Sequence, residues 1–273
     1  MEAMKVLFES SDSMIYYSDN GEYETPVIVK VLKREAPEPL KLQQFYNEYE
    51  ITKNLHLEGI RKAYDSKNIN GKPAIILEYI EGQSIKELLT RGKFKIQEFL
   101  ALAIRIVDVL NGIHEHNIIH KDINSKNIIV GKQRNQVYLI DFGISSKISL
   151  KSHQMVNPDQ LEGTLAYLSP EQTGRMNRFV DYRTDFYSLG ITFYEMLSGK
   201  VPFQGDDPVE LVHSHIAKNP ESLHALDHEI PEVISAIISK LLSKNAEDRY
   251  QSAAGIKYDL QKCLDQLEKN AKV

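Results

Sequence analysis

IIHKDINSKNIIV, residues 118–130, and VYLIDFG, residues 137–143, are the two segments from which the architecture of this chain can be inferred. They place Asp122, Asn127 and Asp141 in the order acid, amide, acid. An acid beside an accepting hydroxyl, followed by an amide and a second acid that hold magnesium, is the set of groups that phosphoryl transfer from ATP needs. A simpler interpretation is a hairpin in which Asp and Asn only form turns. That interpretation explains neither the order of the three side chains nor their apolar flanks.

The composition is that of a globular protein. The chain has 273 residues, enough for one large domain or two lobes, with 42% hydrophobic and 26% charged residues. The formal net charge of −5 predicts no nucleic-acid or anionic membrane partner. The single cysteine, Cys263, fits a reducing compartment, so we expect a cytoplasmic location. We find no signal-peptide pattern and no 18-residue apolar run, and therefore expect no membrane span.

Hydrophobic periodicity divides the chain into a strand-rich part and a helical part. The change falls near Glu78–Gly82, where we expect a short linker and a cleft between two lobes that could hold a small molecule. Asn70-Gly71 predicts a hairpin turn, and Asp207-Pro208 predicts the start of a helix. The predicted strands include Met14–Tyr17, Pro26–Leu32 and Pro73–Tyr79, and the predicted helices span about 40–57, 96–114, 185–198, 207–218, 231–243 and 252–268.

Motifs along nearly the whole chain resemble the catalytic domain of eukaryotic-type protein kinases. They are VIVK at 27–30, HKD at 120–122, DFG at 141–143, SPE at 169–171 and DYRTDFYSLG at 181–190. The resemblance implies an α+β, bilobal fold and one kinase domain over residues 1–273. Its N-lobe (1–80) is small and β-rich, and its C-lobe (81–273) is larger and helical.

The resemblance also implies the residues that bind ATP. Lys30, on the third strand of such domains, would contact the α- and β-phosphates, although a surface strand lysine is the simpler alternative. A glutamate of the next helix should pair with this lysine. Glu48 fits the pattern, and Glu50 is the competitor, pointing away from the direction of Glu48.

The adenine pocket is implied by the same resemblance. LEYI, residues 77–80, resembles the hinge whose backbone groups bind the adenine edge. Leu77 would lie at the back of the pocket, with Glu78 and Ile80 supplying hinge contacts. Ile28 stands where an alanine usually covers the base, and its extra carbons would press on it unless the pocket shifts.

The chemical roles follow from the loop motifs in the same way. Asp122 would accept or orient the proton of the substrate hydroxyl. Asn127 and Asp141 would bind Mg²⁺ that bridges the phosphates. Lys30 and Glu48 complete the predicted catalytic set with Asp122.

Residues 141–171 resemble the activation segment of a serine/threonine kinase. Thr164, in GTLAY, would lie near Asp122 and favours a serine or threonine acceptor. Asp185 would brace the catalytic loop, and Arg249 would form a buried ion pair with Glu171, so these residues are expected to be structural.

A narrower resemblance comes from GTLAYLSPEQTGRMNR at 163–178, DYRTDFYSLGITFYEML at 181–197 and EYEITKNL at 48–55. These segments are similar to the N-terminal kinase module of large bacterial signalling proteins that join a kinase, an ATPase-like region and often a sensor histidine kinase. In that setting a protein substrate and further domains after the C-terminal helix, Ile256–Lys269, would be the partners.

Four departures from the kinase pattern leave the activity open. The phosphate loop at Glu9–Met14 contains no glycine, and Ile28 replaces the small residue. Lys121 stands for the usual arginine. Asn124 stands for a lysine that normally offsets charge on the transferred phosphoryl group, a loss of about 2–4 kcal/mol of transition-state stabilisation.

Three functions therefore remain. The first is an ATP-dependent serine/threonine protein kinase, favoured because Lys30, Glu48, Asp122, Asn127 and Asp141 are all retained. The second is a pseudokinase-like nucleotide-binding or regulatory module with weak or no catalysis. The third, a small-molecule phosphotransferase, is disfavoured by the long activation segment.

Two further clusters are candidates for a function of their own. His213 and His215 do not share a helix face, so a metal pair is not expected there. The basic cluster Arg175, Arg178 and Arg183 either binds an anion or is internally paired.

Overall fold

The computed structural model of the chain describes residues 4–19, 21–133, 136–147, 165–175 and 178–270. A β-rich N-lobe precedes a mainly helical C-lobe, so the predicted α+β bilobal fold is confirmed. The strands are β1 Lys5–Glu9, β2 Ser13–Ser18, β3 Val27–Leu32, β4 Ala63–Ile69, β5 Lys72–Glu78, β6 Gly82–Ser84, β7 Ile118–Ile119, β8 Ile128–Gly131, β9 Val137–Leu139 and β10 Ser146–Lys147. The helices are α1 Pro39–Asn54, α2 Ile85–Leu89, α3 Ile96–Glu115, α4 Arg183–Ser198, α5 Pro208–Ala217, α6 Leu223–Leu226, α7 Glu232–Leu241 and α8 Ala253–Asn270.

The N-lobe is an antiparallel sheet of five strands in the order β1-β2-β3-β5-β4. Strand β3 is central, and because side chains alternate along a strand, its two faces serve two clusters. Val27, Val29 and Val31 pack on one face, and Ile28 and Leu32 pack on the other. Helix α1 packs on the second face through Phe45.

The C-lobe is built around α4, in which every residue from Thr184 to Leu197 is buried. Helix α3 carries an apolar face that packs against this core, including an edge-to-face contact between Phe99 and Phe193 at 5.2 Å between ring centres. Two small antiparallel sheets, β6-β8-β9 and β7-β10, lie beneath the cleft. They carry the loop that follows β7 and the turn that follows β9.

The long predicted helices agree with the structure to within about three residues at each end. Strand β4 was not predicted because its sequence, AYDSKNI, is mostly polar and only partly buried. Helix α2 has five residues, too few for a periodic signal.

The two lobes are joined between strand β5, which ends at Glu78, and strand β6, which begins at Gly82. The lobe boundary after residue 80 and the domain extent over 1–273 stay predictions.

Candidate active site

Lys30 lies on the cleft-facing side of β3. It shares that face with Ile28 and Leu32, which pack into the cluster beneath the sheet. The Lys30 Nζ atom lies 2.6 Å from Oε2 of Glu48 and 3.4 Å from Oδ1 of Asp141. The ammonium group therefore joins β3, helix α1 and the turn after β9.

The glutamate that meets Lys30 is Glu48, not Glu50. Glu48 is 2% exposed on the inner face of α1, between the buried Phe45 and Ile51. Glu50 is exposed, and its backbone carbonyl accepts a hydrogen bond from Asn54. The two side chains face opposite sides because residues two apart on a helix do not share a face.

Burial and mutual charge together set the ionisation of this cluster. Burial lowers the pKa of Lys30, but the carboxylates of Asp141 and Glu48 outweigh burial and raise it above its ordinary value. The Lys30 ammonium in turn holds the pKa of Asp141 below its ordinary value. The Asp141 side chain is 45% exposed, so an anionic carboxylate faces the cleft at neutral pH.

The loop after β7 brings Asp122 and Asn127 together. The Asn127 Nδ2 atom donates to Oδ2 of Asp122 at 2.8 Å and to its backbone carbonyl at 3.0 Å. Since the nitrogen is used in this way, Oδ1 is the Asn127 atom left to meet a cation. Asn127 is also linked to the segment that carries Asp141, because its backbone carbonyl accepts the N–H of the preceding residue, Ile140, at 3.0 Å.

Asp185 of α4 fixes this loop from below. Its fully buried carboxylate accepts the backbone N–H groups of His120 at 2.9 Å and Lys121 at 2.7 Å, and it lies 2.8 Å from Nε2 of His114. Lys121 has a φ of 66°, an uncommon conformation for a side chain of this size. The hydrogen bonds to Asp185 stabilise that conformation.

His120 and Phe142 pack rather than react. Their ring centres are 4.6 Å apart and both residues are fully buried. Nε2 of His120 lies 3.2 Å from the Ile140 carbonyl, and Nδ1 accepts the N–H of Asp122. Burial lowers the pKa of His120, so its ring is neutral and supports the Asp122 backbone.

The predicted adenine contacts surround the start of the linker. Ile28 and Leu77 lie opposite each other in register and are 4% and 1% exposed. The N–H of Glu78 is already bonded to the Lys62 carbonyl at 2.9 Å. The backbone N–H and carbonyl of Ile80, which is 8% exposed, bond to no other described residue.

The turn between β1 and β2 is closed by its own side chains. Oγ of Ser10 accepts the N–H groups of Asp12 and Ser13, and the N–H of Ser10 bonds to the Ser13 carbonyl. Asp12 is also ion-paired with Lys41 of α1 at 3.0 Å. These N–H groups are therefore committed within the turn, which weakens the idea of a serine-rich phosphate cradle.

Two site residues have no signal in the sequence. Nδ2 of Asn47 lies within 3.1 Å of the carbonyls of Phe142, Gly143 and Ser145, which ties α1 to the turn after Asp141. Arg61 precedes β4, and its buried Nε bonds to no described residue. Burial lowers the pKa of Arg61, while the carboxylates of Glu48 and Asp141 raise it. Nothing in the local pattern separates these two residues from exposed polar ones.

The remaining predicted contacts fall into three groups. Glu171 and Arg249 form a buried pair with N–O distances of 2.6 and 2.8 Å. Arg178 and Arg183 are internally paired, the first with Glu247 and the second mainly with Asp181. Thr164 and most of the activation segment lie outside the described residues.

The described residues contain no cluster of three or more His, Cys, Asp or Glu side chains that could hold a metal ion. None of their helices has the length and apolar character that crossing a bilayer requires. Cys263 is buried and forms no disulfide.

The fold and this arrangement of charged groups define a protein kinase. The family model for the protein kinase domain matches residues 10–260, so the chain belongs to that family. The predicted eukaryotic-type serine/threonine kinase domain is thereby confirmed, whereas the hybrid signalling architecture stays a prediction.

The relatives have serine/threonine kinase names. A probable serine/threonine-protein kinase of Streptomyces coelicolor is 32% identical over 267 residues, which is 95% of this chain and 39% of the relative. A probable serine/threonine-protein kinase of Clostridium perfringens is 31% identical over 96% of this chain and 38% of its own length. Serine/threonine-protein kinase PknB of Mycolicibacterium smegmatis is 33% identical over 86% of this chain and 38% of its own length. The chain thus spans less than half the length of these relatives.

Proposed function

We propose that this domain is a catalytically active serine/threonine protein kinase that transfers the γ-phosphate of ATP to a protein hydroxyl. The observation that carries the proposal is the joint contact of Lys30 with Glu48 and Asp141. A lysine fixed by a helix glutamate and placed beside a cleft-facing acid is the arrangement that phosphoryl transfer by protein kinases requires.

The nucleotide is assigned to the cleft through four residues and the hinge backbone. Lys30 contacts the α- and β-phosphates, and Glu48 keeps its ammonium in place. Ile28 and Leu77 enclose the adenine, and the Ile80 backbone with the carbonyl of Glu78 binds its edge. The commitment of the Glu78 N–H to Lys62 supports Ile80 as the hydrogen-bond donor.

Protein kinases use ATP with a divalent metal ion, and the donor set here fits Mg²⁺. Oδ1 of Asn127 and the Asp141 carboxylate supply two oxygen ligands, and Mg²⁺ is typically bound by one or two protein oxygens together with water and phosphate oxygens. The depressed pKa of Asp141 keeps its carboxylate ionised for that role. A metal ion bound there would offset charge on the phosphates.

Asp122 is the residue that meets the acceptor. Its Oδ2 atom accepts an amide hydrogen of Asn127, so the carboxylate is oriented relative to the metal-binding residues. It accepts or orients the proton of the serine or threonine hydroxyl as that oxygen attacks phosphorus.

The cellular setting is part of the proposal. The substrate is a protein, and further domains follow α8; the relatives are more than twice as long as the part that matches this chain. We place the domain in the cytoplasm, where ATP and Mg²⁺ are available and a free cysteine such as Cys263 stays reduced.

Radiolabelled ATP with Mg²⁺ tests the proposal, using autophosphorylation and casein as acceptors. The parent domain should transfer label that phosphoamino-acid analysis recovers as phosphoserine or phosphothreonine. Lys30→Met should lower the initial rate by about 100-fold or more, since it removes a cation from the phosphate site.

Lys53→Met is the matched control, because Lys53 is an exposed lysine of α1 that contacts only the Tyr49 ring among the described interactions. It should label at the parent rate. A parent domain that binds ATP by calorimetry but transfers no label would instead be a regulatory nucleotide-binding module.

A further inference from the structure

We propose that Asn124 is a positioning residue that holds the Asp122 carboxylate in its reactive orientation. The inference rests on the proposed kinase function and extends it to a residue outside the acid-amide-acid set. The sequence suggests that Asn124 marks only the loss of a lysine, whereas the structure gives its amide a defined role.

The orientation of the Asn124 amide is fixed by its oxygen. Oδ1 accepts the backbone N–H groups of Lys126 at 2.9 Å and Asn127 at 3.2 Å. A rotated amide would direct its own N–H bonds at these donors, so the oxygen must face them. The nitrogen consequently points toward Asp122.

The Asn124 nitrogen completes a clamp on the acid. Nδ2 donates to Oδ1 of Asp122 at 2.9 Å and to its backbone carbonyl at 3.1 Å. Asn127 holds Oδ2 at 2.8 Å from the other side. Each carboxylate oxygen thus receives an amide hydrogen, and rotation of the carboxylate would break bonds on both sides.

Burial makes the clamp effective. Asn124 is 6% exposed and Asn127 is 8% exposed, so water has little access to replace their hydrogen bonds. A bond to a charged group is among the stronger hydrogen bonds in proteins, and its loss removes the amide hydrogen that holds Oδ1 of Asp122.

A lysine at position 124 could not perform the same task. An ammonium group can donate to Asp122 but has no acceptor for the N–H groups of Lys126 and Asn127. We therefore expect Asn124→Lys to lower kcat, although this substitution restores the residue usual in protein kinases. An increase in kcat would show that catalysis needs a cation at position 124 and would overturn the inference.

Asn124→Asp is the sharper variant, because it keeps an oxygen for the two backbone N–H groups and replaces only the donor by an acceptor. We expect kcat to fall about 10- to 100-fold while KM for ATP stays within about twofold of the parent. Asn111→Asp is the control, since Asn111 is remote on α3 and bonds only Glu115 among the described residues. An unchanged kcat in Asn124→Asp contradicts the inference.

A stability cycle separates this inference from the kinase assignment. Asn124→Asp sets two carboxylates against each other, and adding Asp122→Asn exchanges donor and acceptor. The double variant should therefore recover most of the Tm lost by Asn124→Asp, although it has no catalytic acid. Strictly additive Tm changes would mean that the two side chains do not interact. This measurement needs no turnover, so it decides the contact even if the parent domain proves inactive.

Discussion

At the scale of single residues, Asp185 shows how a buried carboxylate can shape a site that it does not enter. It accepts hydrogen bonds from two consecutive backbone N–H groups of the loop after β7 and contacts His114. A buried charge is stable only when such donors surround it. The backbone at His120 and Lys121 is consequently arranged from the C-lobe core, independently of the cleft.

His215 leads to a prediction about pH. It is fully buried in α5, with Nδ1 3.1 Å from the Tyr187 hydroxyl and the Lys244 ammonium bonded to its carbonyl. Burial and the Lys244 charge lower its pKa to about 4. Well above pH 6.5 the ring is neutral in both states, so the shift contributes no pH dependence there. Between pH 6.5 and 4 only the unfolded chain takes up a proton, so folding stability falls.

The free energy of unfolding, measured in urea, should therefore be lower at pH 5 than at pH 7.5 by about 2 kcal/mol from this residue alone. His215→Gln should remove that part of the pH dependence. His213→Gln, at an exposed position of the same helix, is the control. Equal pH dependence in the parent and His215→Gln would exclude His215 as the source.

Individual site residues differ in how far the sequence could predict them. Lys30 and Asp122 stand in motifs that predict a role for each of them, and helix geometry separates Glu48 from Glu50. Asn47 and Asn124 could not be recognised, because their roles depend on hydrogen bonds to backbone groups that only the folded chain brings near. An asparagine has the same appearance in a sequence whether it meets solvent or a carboxylate.

At the scale of elements, helix α1 is positioned by its tertiary contacts. It starts with a proline in the first turn and has no side-chain cap at its N-terminus. Its buried face includes Glu48 and Thr52 beside Phe45 and Ile51, so its amphipathic signal is weak. The ion pair with Lys30 and the hydrogen bonds of Asn47 fix its position against the cleft.

Asn47→Ala should loosen α1 from the turn after Asp141. Three carbonyls would lose their shared donor, so we expect kcat to fall several-fold and Tm to drop by a few degrees. Asn54→Ala is the matched control, because Asn54 lies on the same helix but its side chain, among the described residues, bonds only the Glu50 carbonyl. Labelling assays and calorimetric melting on both variants measure the difference.

If the two alanine variants behave alike, the bonds of Asn47 contribute no more than a local helix contact. A selective loss in Asn47→Ala alone would assign the coupling between α1 and the Asp141 turn to this amide.

Elements were predictable where a long apolar period or a cap marks them. Helix α5 begins as expected, with Asp207 accepting the N–H of Val209 at 2.9 Å ahead of Pro208. Strand β4 and helix α2 could not be predicted, since the strand is mostly polar and the helix is short. Their conformation comes from pairing with β5 and from a capping box at Ser84, respectively.

At the scale of the whole molecule, Arg249 and Glu171 connect distant parts of the C-lobe. The two residues are 78 positions apart, and the guanidinium also donates to the carbonyls of Arg183, Ser243 and Lys244. The buried pair therefore joins the end of the activation segment, the start of α4 and the chain after α7.

Arg249→Ala should destabilise the whole C-lobe, because it leaves the Glu171 carboxylate buried without its partner. Breaking a buried pair in this way costs about 3–5 kcal/mol in the free energy of unfolding. Urea unfolding followed by circular dichroism measures the loss. Arg178→Ala breaks a pair of half-exposed side chains with Glu247 and should cost less than about 1 kcal/mol. Similar losses in both variants would contradict the structural role of Arg249.

The closed turn between β1 and β2 also has a consequence for inhibitors. Ser10 occupies the N–H groups of Asp12 and Ser13, and Lys41 holds Asp12 from helix α1. Because the turn is attached to helix α1 at this point, we expect it to resist folding down onto a bound ligand. Rigid, flat compounds that do not need the turn to move should therefore bind well, whereas compounds whose affinity depends on closure of the turn should lose potency.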